Sequence, residues 1–156
     1  MLFRSYLELG GGAVARFGYA PTTESPPPPP PPSDPFAAQY FGNHTLSGEP
    51  VVSRSEPTVD FNWGQGSPDS ALPTDFFSAR WTKVKDYAAG RYRFTITGDD
   101  GIRLLVDGNL VIDGWRNQAP TLYTADVDLA TGSHTVVIEY YEFSVQIGRA
   151  SCRERV

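Results

Sequence analysis

Residues 90–108 read Gly-Arg-Tyr-Arg-Phe-Thr-Ile-Thr-Gly-Asp-Asp-Gly-Ile-Arg-Leu-Leu-Val-Asp-Gly, and their rhythm decides the fold class. Tyr92, Phe94 and Ile96 alternate with Arg91, Arg93 and Thr95. Ile102, Leu104 and Val106 resume the alternation after Gly98-Asp99-Asp100-Gly101. Successive side chains of a strand point to opposite faces, so this period of two marks half-buried antiparallel strands. Asp107-Gly108, set between residues 102–106 and 110–112, is a tight-hairpin signal. Upstream, Phe77, Ala79 and Trp81 alternate with Ser78, Arg80 and Thr82; downstream, Val136, Ile138 and Tyr140 do the same. No segment sustains a helical period. From about Phe36 onward the chain reads as an all-β protein, an antiparallel β-sandwich.

Composition narrows the partners. The 156 residues carry a formal net charge of −5, which disfavours a nucleic-acid groove or an anionic membrane surface, both of which need patches of Lys and Arg. No apolar run approaches the ~20 residues of a spanning helix, so no membrane insertion is expected. The single cysteine, Cys152, excludes an intrachain disulfide and a cysteine-based zinc site. The 3 Trp, 8 Tyr and 9 Phe, with 15 Gly and 14 Pro, fit a loop-rich β protein.

Three segments flank the sandwich. Residues 21–35 form a Pro-rich linker around seven consecutive prolines, Pro26 to Pro32, which prefer polyproline II and act as a stiff spacer of roughly 20 Å. Residues 1–20 lack a signal-peptide layout, and Ser5-Tyr6-Leu7-Glu8-Leu9-Gly10 parallels Glu139-Tyr140-Tyr141-Glu142-Phe143-Ser144. They read as the C-terminal remnant of a preceding copy of the same domain. Residues 146–156 turn abruptly basic, lose the alternation of large apolar residues, and back-translate codon by codon into a common sequencing adapter. This tail is therefore expected to be non-native and dispensable, and removing it takes the net charge from −5 to −7 through Arg149, Arg153, Arg155 and Glu154. The sandwich, residues 36–145, would then be truncated before its last strand. Ala13–Phe17 is expected to fold back and pair in the vacant place.

The order of pieces in residues 36–145 is the basis of a resemblance. The chain reads Phe-Ala-Ala-Gln-Tyr-Phe-Gly-Asn at 36–43, then Asp60-Phe61-Asn62-Trp63-Gly64 and Phe76-Phe77-Ser78-Ala79-Arg80-Trp81. Gly98-Asp99-Asp100-Gly101, Val106-Asp107-Gly108, Ile112-Asp113-Gly114-Trp115 and Glu139-Tyr140-Tyr141-Glu142 follow. In this order and spacing the chain resembles the protective-antigen-type domain, a lectin-like β-sandwich of a bacterial toxin component, fungal flocculins and adhesins, glycosidases and bacterial surface proteins.

Asp99 and Asp100 are the sharpest chemical feature. On a regular strand adjacent carboxylates face opposite ways and cannot meet one ion, unless Gly98 and Gly101 let the backbone depart from regularity. The plain alternative is an acidic turn that caps a hairpin. The resemblance implies a cis peptide between the two and Ca²⁺ held by both carboxylates, an oxygen-only site of the kind calcium takes. It also aligns Glu142 with an asparagine metal ligand of the fungal members; the alternative there is a solvated strand-end Glu. In the loop Asp113-Gly114-Trp115-Arg116-Asn117, Trp115 offers a plate for a sugar ring and Asn117 amide groups for its hydroxyls, with a core position as the alternative for Trp115. Trp63 and Trp81 read as packing residues. Asn43-His44-Thr45 is a glycosylation sequon, and neither His44 nor His134 sits in a ligand pattern.

No catalytic constellation emerges. A glycosidase needs two carboxylates ~5–9.5 Å apart across a bond, which adjacent aspartates sharing an ion do not supply. The expected function is a non-catalytic module that binds glycans, with Ca²⁺ as its cofactor. It would be monomeric within a larger extracellular or cell-surface chain. A structural or protein-interaction module and an accessory domain of a glycoside hydrolase are the alternatives.

Overall fold

The computed structural model describes residues 34–144 and 148–155. The linker prolines, the N-terminal segment and the pairing expected for Ala13–Phe17 lie outside the described residues. Among the described residues ten strands follow in order: β1 (Phe36–Phe41), β2 (Val52–Glu56), β3 (Asp60–Gly64), β4 (Phe77–Tyr87), β5 (Gly90–Asp99), β6 (Gly101–Val106), β7 (Asn109–Gly114), β8 (Thr121–Leu129), β9 (Gly132–Glu142) and β10 (Gly148–Arg155). They make a six-stranded sheet, β2-β1-β4-β9-β6-β7, and a four-stranded sheet, β3-β10-β5-β8. Every pairing is antiparallel. Among the described residues there is no helix, hence none long and apolar enough to cross a membrane.

The predicted alternation becomes the core. Phe77, Ala79 and Trp81 on β4, Phe94 and Ile96 on β5, Ile102 and Leu104 on β6, and Ile138 and Tyr140 on β9 are all fully buried between the sheets. Trp81 stacks on Phe61 of β3 at 5.8 Å and meets Tyr40 of β1 edge-on at 5.9 Å. Trp63 stacks on Phe61 at 5.3 Å, so both tryptophans assigned to packing do pack. The hairpin between β6 and β7 turns at Asp107 and Gly108, with φ of 50° and 77°. Two central residues in the left-handed region match the right-handed twist of the flanking strands. The Asp107 carboxylate also accepts the Thr135 N–H at 2.8 Å, tying this hairpin to β9.

The tail differs from expectation. Residues 148–155 are not an appendage: they form β10, the strand between β3 and β5. Ala150 lies opposite Phe61 on one side and Gly98 on the other, and is fully buried. Alternation is present in the tail but is carried by Gly148, Ala150 and Cys152, small residues facing inward while Arg149, Arg153 and Arg155 face out. A reading that counted only large apolar side chains overlooks such a strand. At the open end Glu154 accepts hydrogen bonds from Lys85 Nζ at 2.9 Å and the Tyr87 hydroxyl at 2.7 Å. The likeness to adapter codons concerns where the segment came from; its position concerns what it does in the fold, where the last strand is in place.

Candidate functional site

β5 belongs to one sheet and β6 to the other, so the chain changes sheets at Asp99 and Asp100. The same end of the sandwich gathers the close of β9 at Glu142, the start of β10, and the loop after β7. The peptide between Asp99 and Asp100 is cis, as the resemblance implied. The flanking glycines serve a purpose other than the one expected. Neither has a left-handed φ; a side chain at 98 would sit 2.5 Å from Ile102 Cβ, and one at 101 would overlap the Tyr141 ring. Close approach, not turn geometry, requires glycine here.

Asp99, Asp100 and Glu142 are 1%, 5% and 2% exposed, which few carboxylates are. Their partners differ sharply. Asp100 is held on both oxygens, Oδ1 by the Gln118 N–H at 3.2 Å and Oδ2 by the Phe143 N–H at 2.8 Å. Asp99 Oδ1 and Glu142 Oε1 are buried with no hydrogen-bond partner among the described residues. The Tyr140 hydroxyl donates to the Asp99 carbonyl at 2.5 Å, and Glu142 Oε2 lies 2.7 Å from that same hydroxyl. One hydroxyl proton cannot serve both at once, and Glu142 Oε1 is left without a donor whichever it serves.

Burial, then the neighbouring Asp100 charge, pushes Asp99 up to about 6. Burial raises Glu142 to about 7; the Tyr140 hydroxyl opposes this, and the Asp100, Asp99 and Asp75 charges add to it. Tyr140 rises far above an ordinary phenol, first through burial and then through Glu142. Orphaned, mutually repelling carboxylate oxygens are what a hard cation relieves, and an oxygen-only donor set suits calcium. The fit has a boundary: among the described residues no three His, Cys, Asp or Glu side chains group as a metal site. The acidic donors would be completed by carbonyl, amide or water oxygens, which calcium accepts.

Trp115 and Asn117 stand beside this corner. Trp115 is half-buried, its ring covered by the Arg103 guanidinium at 4.3 Å and met by Tyr141 at 4.7 Å in an edge contact. It is thus packed against the sheet next to the corner, with neither fully core nor fully open surroundings. Asn117 is exposed, with Oδ1 accepting the Tyr141 hydroxyl at 2.7 Å, which leaves its amide NH₂ as a donor.

Gln118 escaped the sequence reading. Its main-chain N–H holds Asp100, its side-chain Nε2 donates to the carbonyls of Asp100 and Gly114, and Tyr123 fixes its Oε1 at 2.5 Å. Its place directly after Asn117 is the only signal the sequence carried. The sequon has a local use as well: Asn43 Oδ1 accepts the N–H groups of Thr45 and Ser47 while Nδ2 donates to the Ser47 carbonyl, bracing its own loop.

Comparison with known proteins follows the same lines. The family model described as PA14 domain matches residues 36–146. Anti-sigma-I factor RsgI3 of Acetivibrio thermocellus is 39% identical over 106 residues, a stretch covering 67% of this chain and 16% of that protein. A solved anti-sigma factor domain-containing protein superposes with a TM-score of 0.67 at 33% identity, covering 78% of this chain and 42% of the other. The PA14 sugar-binding domain from RTX adhesin superposes with a TM-score of 0.66 at 18% identity, covering 78% of this chain and 89% of that one, a likeness of fold. The chain spans less than half the length of either anti-sigma relative.

Proposed function

The chain belongs to the PA14 domain family, and from that we propose a non-catalytic carbohydrate-binding module, calcium-assisted, in a larger extracellular or cell-surface protein. The observation that carries this reading is the pair of orphaned buried oxygens, Asp99 Oδ1 and Glu142 Oε1, at one corner with the exposed amide of Asn117. Asp99 and Glu142 would offer calcium their free oxygens beside Asp100, with carbonyl, amide or water oxygens completing the shell, and calcium when bound supplies a positive centre for sugar hydroxyls. Asn117 donates to a hydroxyl from the side. Tyr141 fixes the Asn117 amide, and Arg103 and Tyr141 hold Trp115, so the rim is organised before any ligand arrives. The sugar-binding relative from an RTX adhesin supports the ligand class, and the anti-sigma relatives support a regulatory parent chain with this module as its outward reader.

A glycan array probed in calcium and again in EDTA tests the reading. Binding that is lost in EDTA and in Asp99→Asn is expected. Silence in calcium overturns the module reading, and equal binding in EDTA removes calcium from it. Titration calorimetry with calcium alone, on the wild type and Asp100→Ala, reads the metal separately; negligible heat in both leaves the acidic corner as a turn.

A further inference from the structure

Beside Tyr141 stands a second aromatic group that the calcium corner does not use. His44 lies 6.2 Å from Tyr141 and 5.4 Å from Phe143, and Phe76 meets Phe143 edge-on at 5.1 Å. Phe143 joins this group to the corner directly, because its main-chain N–H holds Asp100 Oδ2. The loop that carries His44 is itself pinned. Ser78 of β4 donates to the Asn43 carbonyl at 2.6 Å and accepts the Leu46 N–H at 3.1 Å.

Phe76 is the anomaly. It is 47% exposed, and its backbone sits at φ 59°, a left-handed conformation that Gly or Asn adopts far more readily than a bulky residue. Both the strain and the exposed apolar area are unfavourable in the free protein, and strain of this kind gathers where a ligand is held. An edge contact with Phe143, at an interplanar angle of 70°, cannot cover both faces of the Phe76 ring. A pyranose ring presents an apolar C–H face of matching size to such a surface.

We propose that Phe76, backed by Phe143 and His44, is the plate of a second saccharide subsite, so that the domain reads two consecutive sugar units. One unit is held at Asp99 and Asp100, and its neighbour stacks on Phe76. This rests on the carbohydrate-binding reading above and adds to it the chain length of the ligand. Selectivity follows: the corner recognises hydroxyls, while the plate rewards a second ring with an apolar face.

The test is calorimetry in calcium with paired probes: glucose and cellobiose, xylose and xylobiose, galactose and β-1,4-galactobiose. The wild type is expected to bind at least one disaccharide about tenfold more tightly than its monosaccharide, about 1.4 kcal/mol. Phe76→Ala should erase that gain and leave the monosaccharide affinity unchanged, and Phe76→Tyr should keep it. Phe76→Gly, which suits the left-handed backbone, is the second variant should Phe76→Ala fold poorly. Equal affinity for mono- and disaccharide in the wild type, or a gain that survives in Phe76→Ala and Phe76→Gly, overturns the subsite alone. A wild type that binds none of the six sugars overturns the binding-module reading with it. Dimer dissociation on mutating Phe76 would instead make the plate a self-association surface and also overturn the proposal.

Discussion

Arg103 and Glu139 face each other across β6 and β9 at 2.6 Å, and the same guanidinium covers the Trp115 ring at 4.3 Å. Glu139 also holds Arg80 of β4 at 2.7 Å, so one buried carboxylate spans three neighbouring strands and ends under the rim of the candidate site. Glu139→Gln should therefore act in two places. The arginines are each about a third exposed, so the stability cost is expected near 1–2 kcal/mol, below that of a fully buried pair. Acrylamide quenching of Trp115 should rise along with the loss of melting temperature, with Trp115→Phe as the reference. Unchanged quenching would show that Arg103 does not hold the ring.

Deleting residues 146–156 should abolish cooperative unfolding or lower the melting temperature by well over ten degrees, because β3 and β5 lose the strand that pairs with both. Calorimetry on the shortened and full chains checks it. Beside this strand opens a cleft of about 350 Å³ whose walls include Phe94, Val136 and Cys152, which offers space to a larger side chain at 152. Burial also pushes the Cys152 thiol up to about 12, keeping it protonated. Cys152→Leu should raise the melting temperature by several degrees. A fall would mean that the cleft has no room for the larger side chain.

In calcium-free buffer the domain should lose stability as pH rises from 5 to 7.5. Asp99 and Glu142 have folded-state values raised to about 6 and about 7, so the stability tied to their protons is complete below their ordinary values and lost as pH climbs through the raised ones. His134, raised by its bond to Asp107 and by the Ala130 carbonyl, acts in the same direction, and His134→Asn separates its share. A fall of several degrees in melting temperature across this range is expected. The fall should flatten in Asp99→Asn. A slope identical to the wild type would sink the assignment.

Gly101→Ala should cost several kcal/mol and disturb the corner, since the added methyl overlaps the Tyr141 ring, which holds Asn117. Chemical denaturation measures the loss. A destabilisation under about 0.5 kcal/mol, the range of ordinary surface changes, would contradict the packing described.

Phe94 declares its strand because it is large, apolar and set between Arg93 and Thr95, and Ile138 because Val136 and Tyr140 repeat its inward face at a period of two. Asp107-Gly108 declares its turn because both residues tolerate a left-handed backbone. Asp99 and Asp100 are visible as a pair between glycines, though the reason for those glycines is the nearness of Ile102 and Tyr141, a tertiary fact. β10 is hidden because Ala150 and Cys152 pack without looking like a strand. Phe143 is hidden because it reaches Asp100 through its main-chain N–H, and Gln118 because its hold on the Asp100 carboxylate is main-chain as well, which no side-chain identity reports. Phe76 looks like one more strand aromatic in Phe76-Phe77; only its φ and exposure set it apart from the fully buried Phe77.

The passage of the chain from β5 to β6 at Asp99 and Asp100 has a mechanical side. Each aspartate is anchored to a different layer, so whatever grips both acts as a rivet against sliding of one layer over the other. Occupancy of the corner and stiffness of the domain are then one variable. If the proposed ligand sits there, the domain would be hardest to shear while the corner is filled, and slack once it empties.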